Sequence, residues 1–297
     1  MKIAIIGLGW LGVPLAKKLS QNYQVVGSKR THTQIIAGVQ IFPLTLPLDL
    51  SIKPNIWKSN PSIDGLFNQT DIIAIILPAS RQPEILAEYF KSVDQLIDLA
   101  IDYGVCQIIF TSSTSVYGDK PGSYDETASC EPVTASGKVL LEVEKNLLQR
   151  LEHKVTILRL AGLAGYNRHP GRFFSNPTSQ VNKIDGASSI NFVHGEDVVS
   201  AIEYIIKLKE NISSSARKIS TIYNLCSSIH PSKNLFYAYS ASQLGLPPPK
   251  FKGTMVDSLT EPSPQNNRII DGSRIIREIG FTYSYPNPYN FDYSIPF

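Results

Sequence analysis

The first twelve residues, MKIAIIGLGWLG, restrict the fold more than any other stretch of the chain. Lys2 to Ile6 form an apolar run of strand length, and Leu11, Leu15 and Leu19 recur at a spacing of four, as one face of a helix does. Gly7, Gly9 and Gly12 stand between the two. A glycine at position 7 permits a tight turn, one at 9 lets the backbone approach a pyrophosphate, and one at 12 lets the helix close on the strand. Amides at the start of such a helix lack intrahelical partners and the helix dipole adds positive potential, so an anion is favoured there. Pro14 suits a first helical turn because it has no N–H to lose. The stretch predicts a dinucleotide cradle with Gly7, Gly9, Trp10, Leu11 and Gly12 as contacts; an ordinary tight strand-to-helix turn is the alternative.

Gln24 to Gly27 reads as a second strand, followed by Ser28, Lys29 and Arg30. An NAD site of this kind would carry a carboxylate near here for the ribose 2′-hydroxyl. A hydroxyl followed by two cations suits a 2′-phosphate instead, offering a hydrogen bond and positive charge. NADP is expected in preference to NAD, with solvated loop charges as the plainer reading.

Strands and helices continue to alternate. A helical stretch near Thr31–Ala37 closes at Gly38, and Val39–Phe42 supplies a third strand. Pro43 to Gln69 is proline-rich and aperiodic, and reads as an irregular crossover. Asp71–Leu77 is another apolar strand, whose tip adds Leu77 and Pro78 to the expected cofactor contacts. A helix from about Gln82 to Tyr103 ends at Gly104. Val105–Phe110, a helix from about Thr134 to Gln149, and Val155–Leu160 complete the pattern of an α/β fold, a doubly wound parallel sheet of Rossmann type. Further on come a strand at Ile190–Val193, a helix capped by Asp197 and a strand at Thr221–Cys226. Residues 1–160, with returning segments at about 190–225, are expected to form the dinucleotide domain; 161–189 and 226–297 form a smaller substrate-binding region. The tail FTYSYPNPYNFDYSIPF is too aromatic for a free linker and should pack.

Among 297 residues, 42% are apolar and 18% charged, ordinary values for a globular protein able to bury a sizeable core. A formal charge of +3 with scattered Lys and Arg argues against nucleic acid or a membrane surface as partner. Cys106, Cys130 and Cys226 are odd in number and widely spaced, so no metal site is expected and a reduced, cytoplasmic setting is. No cationic and apolar leader precedes the first strand, and the longest apolar run, Ile72–Leu77, is too short to span a bilayer.

Several ordered motifs then matter together: GLGWLG, FTSSTSVYGD, the lysine-bearing GKVLLEVE, LRLAGLAG, YNRHPGRFF, INFVHGEDVV and RIIDGSRIIREIG. In this order, and over nearly the whole chain, they resemble the atypical extended short-chain dehydrogenase/reductase superfamily, most closely its YeeZ-like subgroup. The resemblance implies NAD(P) binding on a Rossmann fold and a catalytic set of a serine or threonine, plus a tyrosine four residues before a lysine. Ser113 matches the serine and Lys138 the lysine. Thr134 stands at the tyrosine.

That departure is chemical. The family tyrosine is a general acid/base, and a phenol has a pKa of about 10 against roughly 15.7 for water, which an aliphatic hydroxyl approaches. The gap corresponds to about 7–8 kcal/mol at about 1.36 kcal/mol per unit. One lysine would not close it. His169 offers an imidazole that titrates near neutrality, with a loop-fixing role as its alternative. Lys138 is read as holding the nicotinamide ribose. Tyr117, Arg172 and Arg268 are the expected substrate contacts, the arginines for a phosphate or carboxylate. Tyr117 has packing as its plainer role, and His194 and Asp271 read as structural.

The expected function is an NADP(H)-dependent oxidoreductase or a nucleotide-sugar epimerase/dehydratase-like enzyme acting on a small, anionic substrate. Gly162, where many family epimerases resemble one another in having asparagine, weakens the sugar-nucleotide reading. The alternative is a non-catalytic NADP(H)-binding sensor, which loss of the tyrosine favours. Redox-neutral isomerisation is a third reading. A homodimer through the helices near 82–103 and 134–149 is expected from the resemblance.

Overall fold

The structure is a computed structural model that describes residues 1–31, 36–49, 57, 59–80, 82–174, 183–210, 220–252 and 267–294. Its strands are β1 (Lys2–Ile6), β2 (Gln24–Lys29), β3 (Val39–Pro43), β4 (Ile72–Ile75), β5 (Gln107–Ser113) and β6 (Gly122–Tyr124). They continue with β7 (Val155–Leu160), β8 (Gly162–Ala164), β9 (Phe192–His194), β10 (Ile222–Leu225) and β11 (Arg268–Ile270). The helices are α1 (Gly12–Leu19), α2 (Pro61–Phe67), α3 (Pro83–Ala87), α4 (Tyr89–Asp102), α5 (Ala135–Leu151), α6 (Gly195–Glu210), α7 (Lys233–Ser242) and α8 (Arg274–Ile279).

Seven strands form one sheet in the order β10-β7-β5-β4-β1-β2-β3. Pairing of β1 with β2 and β4, of β2 with β3 and of β4 with β5 is parallel. The order runs outward from β1 to β3, then restarts at β4 on the other side of β1. This reversal is a topological switch point, and ligands of doubly wound sheets bind in the crevice beyond the carboxyl ends of the strands that flank it. Ile3, Ala4, Ile5 and Ile6 are fully buried, as are Ile73, Ala74 and Ile75, because helices cover both faces of such a sheet.

Most elements lie where the periodicity puts them, with five differences. Pro43–Gln69 contains α2, whose start is set by Asn60: its Oδ1 accepts from Ser62 N at 2.9 Å and Ile63 N at 3.3 Å, ahead of Pro61. The helix of residues 82–103 is two helices, α3 and α4, separated at Glu88. Ile36 bridges Val39 around Gly38, and residues 32–35 of the short helix expected near 31–37 fall outside the described residues. The strand expected at Ile190–Val193 is Phe192–His194, paired in parallel with Gly162–Ala164. Asp197 is no N-cap, because α6 begins two residues earlier at Gly195.

The chain divides into two compact units, one of residues 1–118, 130–159 and 199–223, the other of 119–129, 160–198 and 224–297. The second has an aromatic core of Phe192, Phe236, Tyr237, Phe251 and Phe291. Its tail packs: Phe281 and Tyr283 are buried with Phe291. Among the described residues no helix is long and apolar enough to cross a membrane.

Candidate functional site

The glycine loop after β1 owes its shape to backbone contacts that leave no room for side chains. Gly7 has φ +105°, and a Cβ there would sit 2.6 Å from Ile76 O. At Gly12 a Cβ would come within 2.1 Å of Gly7 O, so the first turn of α1 lies directly on the loop. Gly9 is the opposite case: a Cβ would meet nothing within 4 Å. Two glycines are thus closed by the protein and one faces open space, as a backbone approached by a ligand requires. Leu11 precedes α1 without a side-chain cap, and the helix has no acidic residue in its first turn, so no carboxylate of that turn competes for that end.

Ser28 closes the same loop. Its Oγ accepts a hydrogen bond from Gly7 N at 3.1 Å and its carbonyl one from Leu8 N at 2.9 Å. It is only 4% exposed, and its acceptor capacity holds the glycine turn to β2. Lys29 is half-buried and Arg30 exposed at the end of that strand. Leu77 packs toward Gly7, with Cδ2 3.1 Å from where a Cβ would be, and its carbonyl accepts from the Tyr89 hydroxyl at 2.8 Å. Pro78 follows, exposed. Trp10 is half-buried between the glycines.

Ser113 is the last residue of β5 and half-buried, and its Oγ accepts from Ser115 N at 3.1 Å. Thr134 is the N-cap of α5: its Oγ1 accepts from Gly137 N at 3.1 Å and lies 3.4 Å from Ser136 Oγ. Gly137 binds the two segments together, since a Cβ there would fall 2.7 Å from Ser115 O and 3.0 Å from Thr134 Oγ1. Ser113 and Thr134 are therefore linked through Ser115 and Gly137. Lys138 follows, exposed, in the first turns of α5.

Tyr117 is corrected from a substrate contact to a packed residue. It is 1% exposed, and its hydroxyl accepts from Arg159 Nη1 at 2.8 Å, with the guanidinium also 4.9 Å from the ring centroid. Arg159 in turn contacts Glu144 of α5 through Nη2 at 2.7 Å and Nε at 3.1 Å, and Ser112 Oγ donates to the same carboxylate at 2.5 Å. The hydrogen bonds and charge of Glu144 hold the guanidinium above its already high ordinary value despite its burial. Sequence reading missed this network. Its signal was Arg159 in the apolar LRL strand, where a buried charge demands a partner.

In the second unit His169 begins the short turn Pro170–Arg172. Its Nδ1 accepts from Gly171 N at 3.1 Å, and its ring lies 4.0 Å from that of Tyr293. Burial and the charge of Arg172 push the imidazole below its ordinary value. This is the loop-fixing geometry, although Nε2 is not engaged in that bond. Arg172 ends the turn, exposed. Arg268 opens β11 beside β6, with its guanidinium 5.8 Å from the Tyr124 ring centroid.

His194 and Asp197 anchor the tail. His194 Nδ1 accepts from Glu196 N at 3.1 Å, so Nε2 carries the proton that goes to Asp292 O at 2.7 Å. The Asp197 carboxylate accepts from Ser284 N at 2.7 Å and Tyr285 N at 3.1 Å. Asp271 caps a turn by accepting from Ser273 N at 2.8 Å.

A glycine loop at the switch point of a doubly wound parallel sheet defines a dinucleotide-binding fold of Rossmann type. The chain belongs to the NAD dependent epimerase/dehydratase family, which it matches over residues 3–226. It is 41% identical over 292 residues to protein YeeZ of Escherichia coli K12, covering 97% of each chain. Its fold is shared with UDP-glucuronic acid 4-epimerase from Bacillus cereus, solved with NAD, at a TM-score of 0.73 and 17% identity over 99% of this chain and 96% of that one. UDP-glucose 4-epimerase from Thermotoga maritima, solved with UDP-glucose, gives a TM-score of 0.68 and 17% identity over 96% and 94%.

Proposed function

We propose that this protein binds a nicotinamide dinucleotide, with NADP preferred, and acts as an oxidoreductase or epimerase-like enzyme on a small anionic substrate. The observation that carries it is Gly9, open where Gly7 and Gly12 are closed. The diphosphate would lie against Gly9 and the uncapped start of α1. Arg30 and Lys29 would hold the 2′-phosphate, and no carboxylate stands at the end of β2 to repel it. Lys138 would hold the nicotinamide ribose. The bound group would supply a site that accepts or gives up hydride.

Ser113 would donate its O–H to a substrate carbonyl, because Ser115 N already uses an acceptor position on the same oxygen. Thr134 serves as a cap and does not take over the work of the tyrosine. His169 is the proposed substitute for that tyrosine in its protonated form, which requires Nδ1 to release Gly171 N, and Arg172 and Arg268 are the proposed anion contacts. The structures solved with NAD and with UDP-sugars support a nucleotide sugar as one candidate substrate class.

The commitment of Thr134 Oγ1 to Gly137 N favours one other reading, a protein that binds NADP(H) without turnover. Titration of NADPH and NADH by nicotinamide fluorescence tests the first claim; no binding of either would overturn it. Deuterium transfer from labelled NADPH into a metabolite extract then separates the readings. Labelled product supports the enzyme, and none with cofactor bound supports the sensor.

A further inference from the structure

The carboxyl ends of the sheet carry the glycine loop, but the opposite ends of β4 and β5 border a second concavity, wholly within the first unit. It has a volume of about 590 Å3 and is lined by Ile72, Cys106, Gln107, His153 and Lys209, among others. The amide of Gln107 is spent on Ile108 O and Thr156 Oγ1. The side chains of Cys106 and Lys209 have no hydrogen-bond or ionic partner among the described residues. An exposed thiol and a lysine thus share one cavity, neither bound by another side chain among the described residues.

We infer that this cavity is an acyl-acceptor site, in which Cys106 takes an acyl group from a small acyl thioester and passes it to Lys209. In the first step the Cys106 thiolate attacks the thioester carbonyl, the donor C–S bond breaks and the donor thiolate leaves. In the second, the neutral Lys209 Nζ attacks the new thioester, an amide C–N bond forms, the Cys106 C–S bond breaks, and the amine proton passes to the departing sulfur. The thiol is regenerated and nothing is oxidised or reduced. Sharing a cavity makes the transfer intramolecular, which raises its effective concentration. The second step needs an uncharged amine, and burial lowers the Lys209 ammonium to about 8. At pH 7.5 about one such amine in four is neutral, against about one in a thousand for an ordinary lysine. This assignment does not rest on the dinucleotide reading.

The full chain is incubated at pH 7.5 with the acetyl thioester of N-acetylcysteamine, and acetylation is followed site by site by mass spectrometry. Lys209 should react at least about tenfold faster than exposed Lys145, part of the gain in neutral amine being offset by lower basicity. Cys106→Ala should slow Lys209 at least about fivefold and leave Lys145 unchanged. In Lys209→Arg a hydroxylamine-labile acetyl group should accumulate on Cys106. Equal rates at Lys209 and Lys145 would overturn the inference, as would a Lys209 rate indifferent to Cys106→Ala or an unacylated Cys106 in Lys209→Arg. Cys106 is exposed, so its alanine variant should keep the wild-type melting temperature.

Discussion

The guanidinium of Arg159 grips the carboxylate of Glu144 through both Nη2 and Nε, with side chains only 5% and 1% exposed. Glu144 also takes Ser112 Oγ, and Arg159 takes the Tyr117 hydroxyl, so one ion pair fixes both ends of the segment that carries Ser113. Removing one partner strands a buried charge. Arg159→Met should lower the unfolding free energy by about 3–5 kcal/mol, whereas Glu144→Leu with Arg159→Met should cost less than the two single changes summed. Urea denaturation of the four proteins checks this, and full additivity would contradict it.

Gly9 and Gly12 should respond in opposite ways to the same methyl group. Gly12→Ala places a Cβ 2.1 Å from Gly7 O and should destabilise the fold, while Gly9→Ala meets no protein atom within 4 Å. Gly9→Ala should therefore melt like the wild type but bind NADPH at least about tenfold more weakly, a loss of about 1.4 kcal/mol. Unchanged NADPH affinity in a folded Gly9→Ala protein would count against the cradle.

How far the sequence discloses this arrangement depends on the range of the interactions involved. The cradle is legible because strand, turn and helix are contiguous and each glycine has a local reason. The helix α2 is obscured by Gly65, which breaks the helical pattern yet is required where a Cβ would meet Phe42 at 2.2 Å. The bond from Gly7 N to Ser28 Oγ spans 21 residues and is not visible in the stretch around Ser28. Tyr117 and Arg159 are 42 residues apart and Asp197 and Ser284 87 apart, so no local spacing announces either pairing.

Arg30 is exposed at the end of β2, and its proposed partner is a phosphate that NADPH has and NADH lacks. A charge-assisted hydrogen bond contributes about 1.5–3 kcal/mol, or roughly 10- to 150-fold in affinity. Arg30→Ala should weaken NADPH binding by about that factor and NADH binding much less. Equal loss for both cofactors would sink the 2′-phosphate assignment.

Thr134 caps α5 four residues before Lys138. Thr134→Ala should cost about 1 kcal/mol by leaving Gly137 N without its acceptor. Thr134→Tyr should lose the same cap but supply a phenol four residues before Lys138. If the missing phenol alone limits proton transfer, Thr134→Tyr should gain NADPH-dependent reduction of simple carbonyls; no gain would indicate that the site is reorganised around the cap.

His194 should make the second unit sensitive to mild acid. The imidazole is fully buried, accepts through Nδ1 and donates through Nε2, so the fold binds its neutral form. Burial pushes its pKa below the ordinary value of about 6.5, against smaller opposing effects of Asp292 O, Glu196 and Asp292. The unfolded chain then binds more protons than the folded one in the window between the folded value and about 6.5. The stabilisation is complete above that window and is lost as pH falls through it, with His169 and His230, lowered in the same direction, adding to the slope. Urea midpoints should therefore drop between pH 7 and pH 5, and hydrogen exchange at the Ser284 and Tyr285 amides, corrected for intrinsic rates, should accelerate. His194→Gln, which keeps a donor but cannot titrate, should be less stable at pH 7 and show a shallower dependence; a slope unchanged from wild type would mean that other groups set the acid sensitivity.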